Sequence, residues 1–577
     1  MRSYPLGIFA LPFAAPFLLL AACSSSSGSP SGDAGQSSDG TSPTDGTTTD
    51  APVALEGSAD SSPDTGDAGG PGADAGADAG DSGTPDAGDS GAPLASLKNV
   101  VIIYLENHSF DNLFGSWPGA TGLADGGAGI AQIGPDGGAY GTLPQYAATP
   151  ASESLDGHLI SNAPFDLTTY FGEATLTNDL LHRFYQEQAQ INGGKMDSYV
   201  LWNDESAGQS MGYWPTSTLP VPQWMHAHAA NVTLLDHFFH AAFGGSFLNH
   251  FWLVSAQSPT FPNAPAGIVA TPNDAGVLVP PLDTTSDPPG SVYNSGSVDG
   301  QVTPDGFAVN TTYSANEPHP PGYDTGSSSP TKLLPQQTFT TIADELDTAN
   351  VSWTWYAGGW NVALANAGIA SVGTASGSES VPGGTATILN LFEYHHQPFV
   401  YFKNWGGTAA DGGVAGVGTT PNGKWAQNHN LQDEEDFIAA AIAGKLPAVS
   451  FVKPLYEEHP NYTTETDSEA NTVDLINDVV NGPQWSETAI IITYDENGGS
   501  WDHVAPPTGS PKADKWGPGT RVPGIVISPF AKGGVDSTEY DTTAILKLIE
   551  KRWGLPALST RDAAQADLST NAMTFAP

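Results

Sequence analysis

The chain has 577 residues, with 62 Asp and Glu against 17 Lys and Arg, giving a formal net charge of −45. Nucleic-acid binding draws on clustered basic side chains that neutralise phosphates; no Lys/Arg cluster occurs, which argues against that partner class. A single cysteine, Cys23, excludes a disulfide within the chain.

The chain opens with a targeting pattern. Arg2 is followed by the apolar run LGIFALPFAAPFLLLAAC, which Pro12 and Pro16 interrupt. A membrane-spanning helix needs about 20 uninterrupted apolar residues, so residues 1–22 are expected to be a cleaved signal peptide. Leu20-Ala21-Ala22-Cys23 resembles a bacterial lipobox, whose cysteine is lipidated and becomes the mature N-terminus. That resemblance implies an exported lipoprotein of the outer membrane or cell surface, with the membrane as a partner through the lipid anchor. Residues 23–93 continue mostly as Ser, Gly, Asp, Ala, Thr and Pro, with no aromatic or basic side chain. They hold too little apolar area to offset chain entropy and read as a tether.

Residues 94–577 read as one catalytic domain. Short apolar runs at 99–105, 232–236, 351–356, 448–453, 489–494 and 523–528 predict strands buried on both faces. Helical spacing predicts helices at 337–350, 432–443, 469–481 and 538–553, the last stopped by Gly554. The alternation predicts an α/β fold, a mainly parallel central sheet flanked by helices on both faces. Long Gly/Pro/Ser/Thr loops interrupt it, the largest an insertion at about 257–336.

The chemistry gathers where strands end, since open α/β sheets bind ligands beyond their carboxyl edges. The run at 99–105 ends in Glu106 and Asn107, and that at 489–494 ends in Asp495 and Glu496. A Gly-Gly turn then leads to Asp502 and His503. Carboxylates brought together repel and rise in pKa unless a divalent cation offsets them. Oxygen ligands suit calcium, iron, manganese or zinc in different degrees. Gly244-Gly245 precede Ser246 at the start of a helix-like run. That position suits an anion such as phosphate at free backbone N–H groups; it equally suits a serine that only caps a helix. His182, His250, His395, His396, His459 and His503 lie in polar clusters, as phosphate ligands, general acids or metal ligands do.

ENHSFDNLFG, TYDENGGSWDHVAPP, GPGTRVPGIVISPFAKGG and HRFYQEQAQINGGKMDSY together resemble the motifs of the bacterial and fungal phosphoesterase family, over about 98–556. That family contains non-hemolytic-type phospholipases C and related acid phosphatases. The resemblance implies an alkaline-phosphatase-like fold and one divalent metal ion. It assigns Glu106, Asn107, Asp495, Glu496 and Ser246 to the metal, with Ser246 also the nucleophile. His182 and His459 become candidate acids, and His395, His396, His503 and His250 substrate-binding groups. GGSFLNH differs from the threonine-bearing motif of the phospholipases C and resembles the acid phosphatase branch. The expected activity is therefore hydrolysis of a phosphate monoester through a phosphoserine, favoured at acidic pH where histidines are protonated. The alternatives are a phospholipase C-like diesterase and a surface-anchored protein that binds without turnover. A sulfatase is disfavoured, because no Cys/Ser-x-Pro-x-Arg motif occurs.

Overall fold

Apolar β-branched runs with no polar interruption need cover on both faces. The computed structural model describes residues 94–144, 155, 158–203, 207–272, 278, 299–320, 333–367, 391–405, 430–460 and 462–575. The signal peptide, Cys23 and the tether lie outside the described residues, as does part of the 257–336 insertion.

Strands β1 (Asn99–Leu105), β2 (Val232–Leu235), β3 (Trp353–Ala357), β4 (Leu431–Asp433), β5 (Val449–Lys453), β6 (Thr488–Tyr494), β7 (Gly524–Ile527) and β8 (Gly534–Asp536) form one sheet. Its order is β8-β2-β7-β6-β1-β5-β3-β4. Strand β7 runs antiparallel to β2 and β6, and the other pairings are parallel. Every predicted strand forms close to its expected bounds. Only β4 and β8, too short to carry a periodicity, were not predictable from pattern.

Helices α1 (Phe110–Phe114), α2 (Phe184–Ile191), α3 (Pro220–Ala227), α4 (Ser246–Ser255), α5 (Ile342–Thr348), α6 (Glu434–Ala443), α7 (Glu465–Val480) and α8 (Thr543–Trp553) surround the sheet. Helix α7 packs against α3 and α6, and α4 packs against α5 and α8. All residues of β1 and β6 are buried, so both faces of the sheet centre are covered. Thr464 caps α7 by accepting the Asp467 N–H, and Gly554 ends α8 as expected.

Register places the chemistry. Leu105 of β1 lies opposite Tyr494 of β6. Glu106 and Asp495 therefore leave the sheet at the same level, and the Asp495 N–H donates to the Leu105 carbonyl at 2.9 Å.

Candidate active site

The carboxyl ends of β1 and β6 bring Glu106, Asp495 and Glu496 together, with ligand oxygens within 4.8 Å of one another. Asn107 turns the chain with φ 65°, a left-handed conformation that Asn tolerates better than most residues. Its N–H donates to Asp495 Oδ1 at 3.2 Å. Gly498 follows from this packing: a Cβ there would lie 2.2 Å from the Asn107 carbonyl oxygen.

Asp495 Oδ2, Glu496 Oε1 and both amide atoms of Asn107 are buried without a hydrogen-bond partner. Orphaned buried oxygens are costly. A divalent cation satisfies them together, and the oxygen-rich set fits one. The family-implied metal therefore suits the residues present.

Lys453, the last residue of β5, also enters the cluster. Its ammonium donates to Glu106 Oε1, and to the Tyr104 carbonyl at 3.2 Å, and lies 3.2 Å from Glu457 Oε2. Burial opposes its charge, but Glu106 and Glu457 more than offset that and raise its pKa. Burial, and then the Asp495 charge, push Glu106 well above the usual carboxylate range. Burial pushes Glu457 up to about 8. One ammonium does not balance this many carboxylates.

Ser246 is not a helix cap. Gly245 takes the cap position of α4 and Ser246 is its first helical residue. The hydroxyl is thereby free to donate to Glu106 Oε2 at 2.7 Å. The turn before it is braced from below. Gly244 has φ 88°, and a Cβ there would lie 2.5 Å from the Phe184 nitrogen. Its N–H donates to Glu187 Oε2 at 2.6 Å, while Glu187 Oε1 pairs with His240 at 2.8 Å.

Burial raises the Glu187 pKa, but His240 and two backbone N–H donors lower it on balance. Burial likewise opposes charge on His240, and Glu187 outweighs it. The lowered acid stabilises the fold above its ordinary value of 4.5 and loses that as pH falls through its folded pKa. The raised histidine stabilises it below 6.5 and loses that as pH rises through its folded pKa. Glu187→Gln should therefore cost about 3–5 kcal/mol, most between those values. Chemical denaturation at several pH values checks this; a loss below about 1 kcal/mol throughout would deny the pair its bracing role.

Ser246 opens on a cleft of about 300 Å³, lined also by Asp179, His182, Arg183, His395 and His459. Two of these groups keep an Nδ1–H on a carbonyl. His182 donates to Leu180 at 2.6 Å and His459 to Pro460 at 2.8 Å. His182 Nε2 stands 3.8 Å from Glu496 Oε1. His395 lies 3.4 Å from Glu393 Oε2.

The remaining predicted histidines do not reach the cleft. His250 is wholly buried, with Nδ1 on the Ser246 carbonyl at 2.8 Å and Nε2 3.9 Å from Glu106. His396 stacks on His250 at 4.8 Å between centroids and stands 3.1 Å from Glu457. These rings support the acid cluster from behind and do not line the cleft. His503 belongs to another network. Its Nδ1 donates to Asp111 at 2.6 Å, beside Arg521, which pairs with Asp111 and Asp502. An Asp-His pair after a glycine turn looks the same in sequence whether it serves chemistry or an ion network.

The expectation of protonated histidines is corrected for His395 and His459. Burial lowers the pKa of His395 to about 3 and lowers that of His459. Near neutral pH both rings are uncharged.

Sequence reasoning missed Lys453 and Glu457. For Lys453 the signal was present, because VSFVK is another buried strand ending in a charge. It also missed the insertion's part: Val309, Asn310, Thr311 and Tyr313 form a wall of the cleft, and Asn310 Oδ1 accepts the Phe184 N–H at 3.0 Å.

Comparison with known proteins finds relatives among phospholipases C. Phospholipase C B of Mycobacterium tuberculosis is 35% identical over 169 residues, 25% of this chain and 32% of that protein. Non-hemolytic phospholipase C of Pseudomonas aeruginosa is 24% identical over 518 residues, 84% of this chain and 58% of that protein. This chain thus spans less than two thirds of the length of either. A solved protein of the alkaline phosphatase superfamily from Vibrio parahaemolyticus has 14% identity and TM-score 0.21, over 45% of this chain and 56% of that one. The model of the Phosphoesterase family matches residues 97–556, and the chain belongs to that family.

Proposed function

We propose that this chain hydrolyses phosphate monoesters, with Ser246 as nucleophile and one divalent cation at Glu106, Asn107, Asp495 and Glu496. The observation that carries the reading is the Ser246 hydroxyl. It donates to Glu106 within the acid cluster, at the first position of a helix facing a cleft. When bound, the cation supplies positive charge that lowers the hydroxyl pKa and offsets phosphate charge.

The chain's own residues do the rest. Ser246 Oγ attacks phosphorus as its proton passes to Glu106 Oε2, and the ester oxygen leaves with a proton from His182. The free N–H groups opening α4 face the phosphate oxygens. Water, its proton taken by His182, then cleaves the phosphoserine, and Glu106 returns its proton to Ser246. Positioning and charge stabilisation dominate in phosphoryl transfer, which suits residues fixed on strand ends.

A phosphodiesterase acting on phospholipids is the second reading, favoured by relatives that are phospholipases C. Against it stand serine in place of threonine and a cleft near the lower size limit for ligand sites. The two are told apart by p-nitrophenyl phosphate against p-nitrophenyl phosphorylcholine, before and after chelation. The monoester should have at least about tenfold higher kcat/KM; preference for the choline diester would move the chain to the second reading.

A further inference from the structure

We propose that a second divalent cation binds in a closed site formed by His108, Glu458 and Glu465, behind the catalytic cluster. Their ligand atoms lie within 4.8 Å of one another and all three side chains are buried. Glu465 opens α7 and His108 follows β1. Glu458 sits beyond β5 with φ 72°, a conformation that a residue bearing a side chain holds only when its surroundings impose it.

The tautomer of His108 points to an ion. Asn112 donates its amide N–H to the Gly212 carbonyl at 2.8 Å, which turns its oxygen toward the ring. His108 Nδ1 lies 2.5 Å from that oxygen, so Nδ1 carries the proton and Nε2 the lone pair. Nε2 has no hydrogen-bond partner, and faces Glu465 Oε1 at 3.3 Å. A lone pair and a carboxylate oxygen this close repel each other, and a cation between them would remove that repulsion. A histidine whose far N–H is fixed by an amide is also the usual arrangement of a metal ligand.

The oxygens tell the same story. Glu458 Oε1 and Glu465 Oε2 are buried without partners. Glu458 Oε2 accepts the Tyr494 hydroxyl at 2.5 Å, and the Glu458 carbonyl also approaches the His108 ring. Glu469, one helical turn beyond Glu465, adds a further orphaned oxygen. The basic side chain that acts on Glu458, Lys453, is already paired with Glu106 and Glu457. One imidazole with carboxylates is a donor set for zinc, manganese or iron more than for calcium or magnesium.

The site's role would be positioning. His108 follows Asn107 and Glu458 precedes His459, so one ion ties the backbone of a metal-cluster residue to that of a cleft histidine.

Metal content decides the matter. The full chain, stripped and dialysed against zinc(II), should retain about two ions per molecule, and Glu465→Gln and Asp495→Asn about one each. A single ion lost in Asp495→Asn but kept in Glu465→Gln would overturn the second site. A single ion lost in Glu465→Gln but kept in Asp495→Asn would uphold it and remove the catalytic cation instead. Should either variant fail to fold, zinc anomalous scattering from wild-type crystals gives the answer: density at His108, Glu458 and Glu465 supports the site, and its absence overturns it.

Discussion

Ser246→Ala should lower turnover of a phosphate monoester by about 1,000-fold or more while KM changes little. On the proposed mechanism the substitution removes the one atom that reacts. Alanine is a good helix former at the first position of α4, and Gly245 still provides the cap. Glu106 loses the hydroxyl at 2.7 Å but keeps Lys453. Asp495 and Glu496 keep their oxygens, so metal content should match wild type. A quenched reaction with phosphate-labelled substrate adds a second readout. Wild type should carry label on Ser246, and the alanine variant none. Residual activity within about tenfold of wild type, with no label trapped in either protein, would mean that water attacks phosphorus directly and that Ser246 only orders the site.

Much of this site can be read from local sequence because its carboxylates follow β1 and β6 at once. A buried run that ends in Glu106-Asn107 or Asp495-Glu496 announces a polar edge. Other parts depend on contacts that no local pattern encodes. Ser246 as cap or as first helical residue differs by one step along the chain, yet only the second frees the hydroxyl. Asn310 and Tyr313 reach the cleft from a segment with no periodicity at all. Asp502 and His503 resemble a catalytic pair until Arg521 and Asp111 are seen beside them. His395 and His459 are polar in sequence, but burial, a tertiary property, leaves them neutral.

Chelation should abolish turnover, by about 100-fold or more, and should also change how stability depends on pH. Without a cation, burial holds Glu457 near 8. Burial and then Asp495 raise Glu496 well above the carboxylate range, as they do Glu106. A carboxyl whose pKa is raised in the fold keeps a proton that the unfolded chain has already released. Its contribution is full below the ordinary value of 4.5 and is lost as pH rises through the folded value. The Tm of the chelated protein should therefore fall between about pH 5 and pH 8. The metal-loaded protein should stay nearly level there, because a bound cation favours the ionised carboxylates and its binding releases protons. Calorimetry of both forms across that range, with activity restored by added metal, checks the pair of effects together. A chelated protein with full activity and a level Tm would mean that Lys453 alone balances the acids, and the orphaned oxygens of Asp495 and Glu496 would then need protons rather than a metal to explain them.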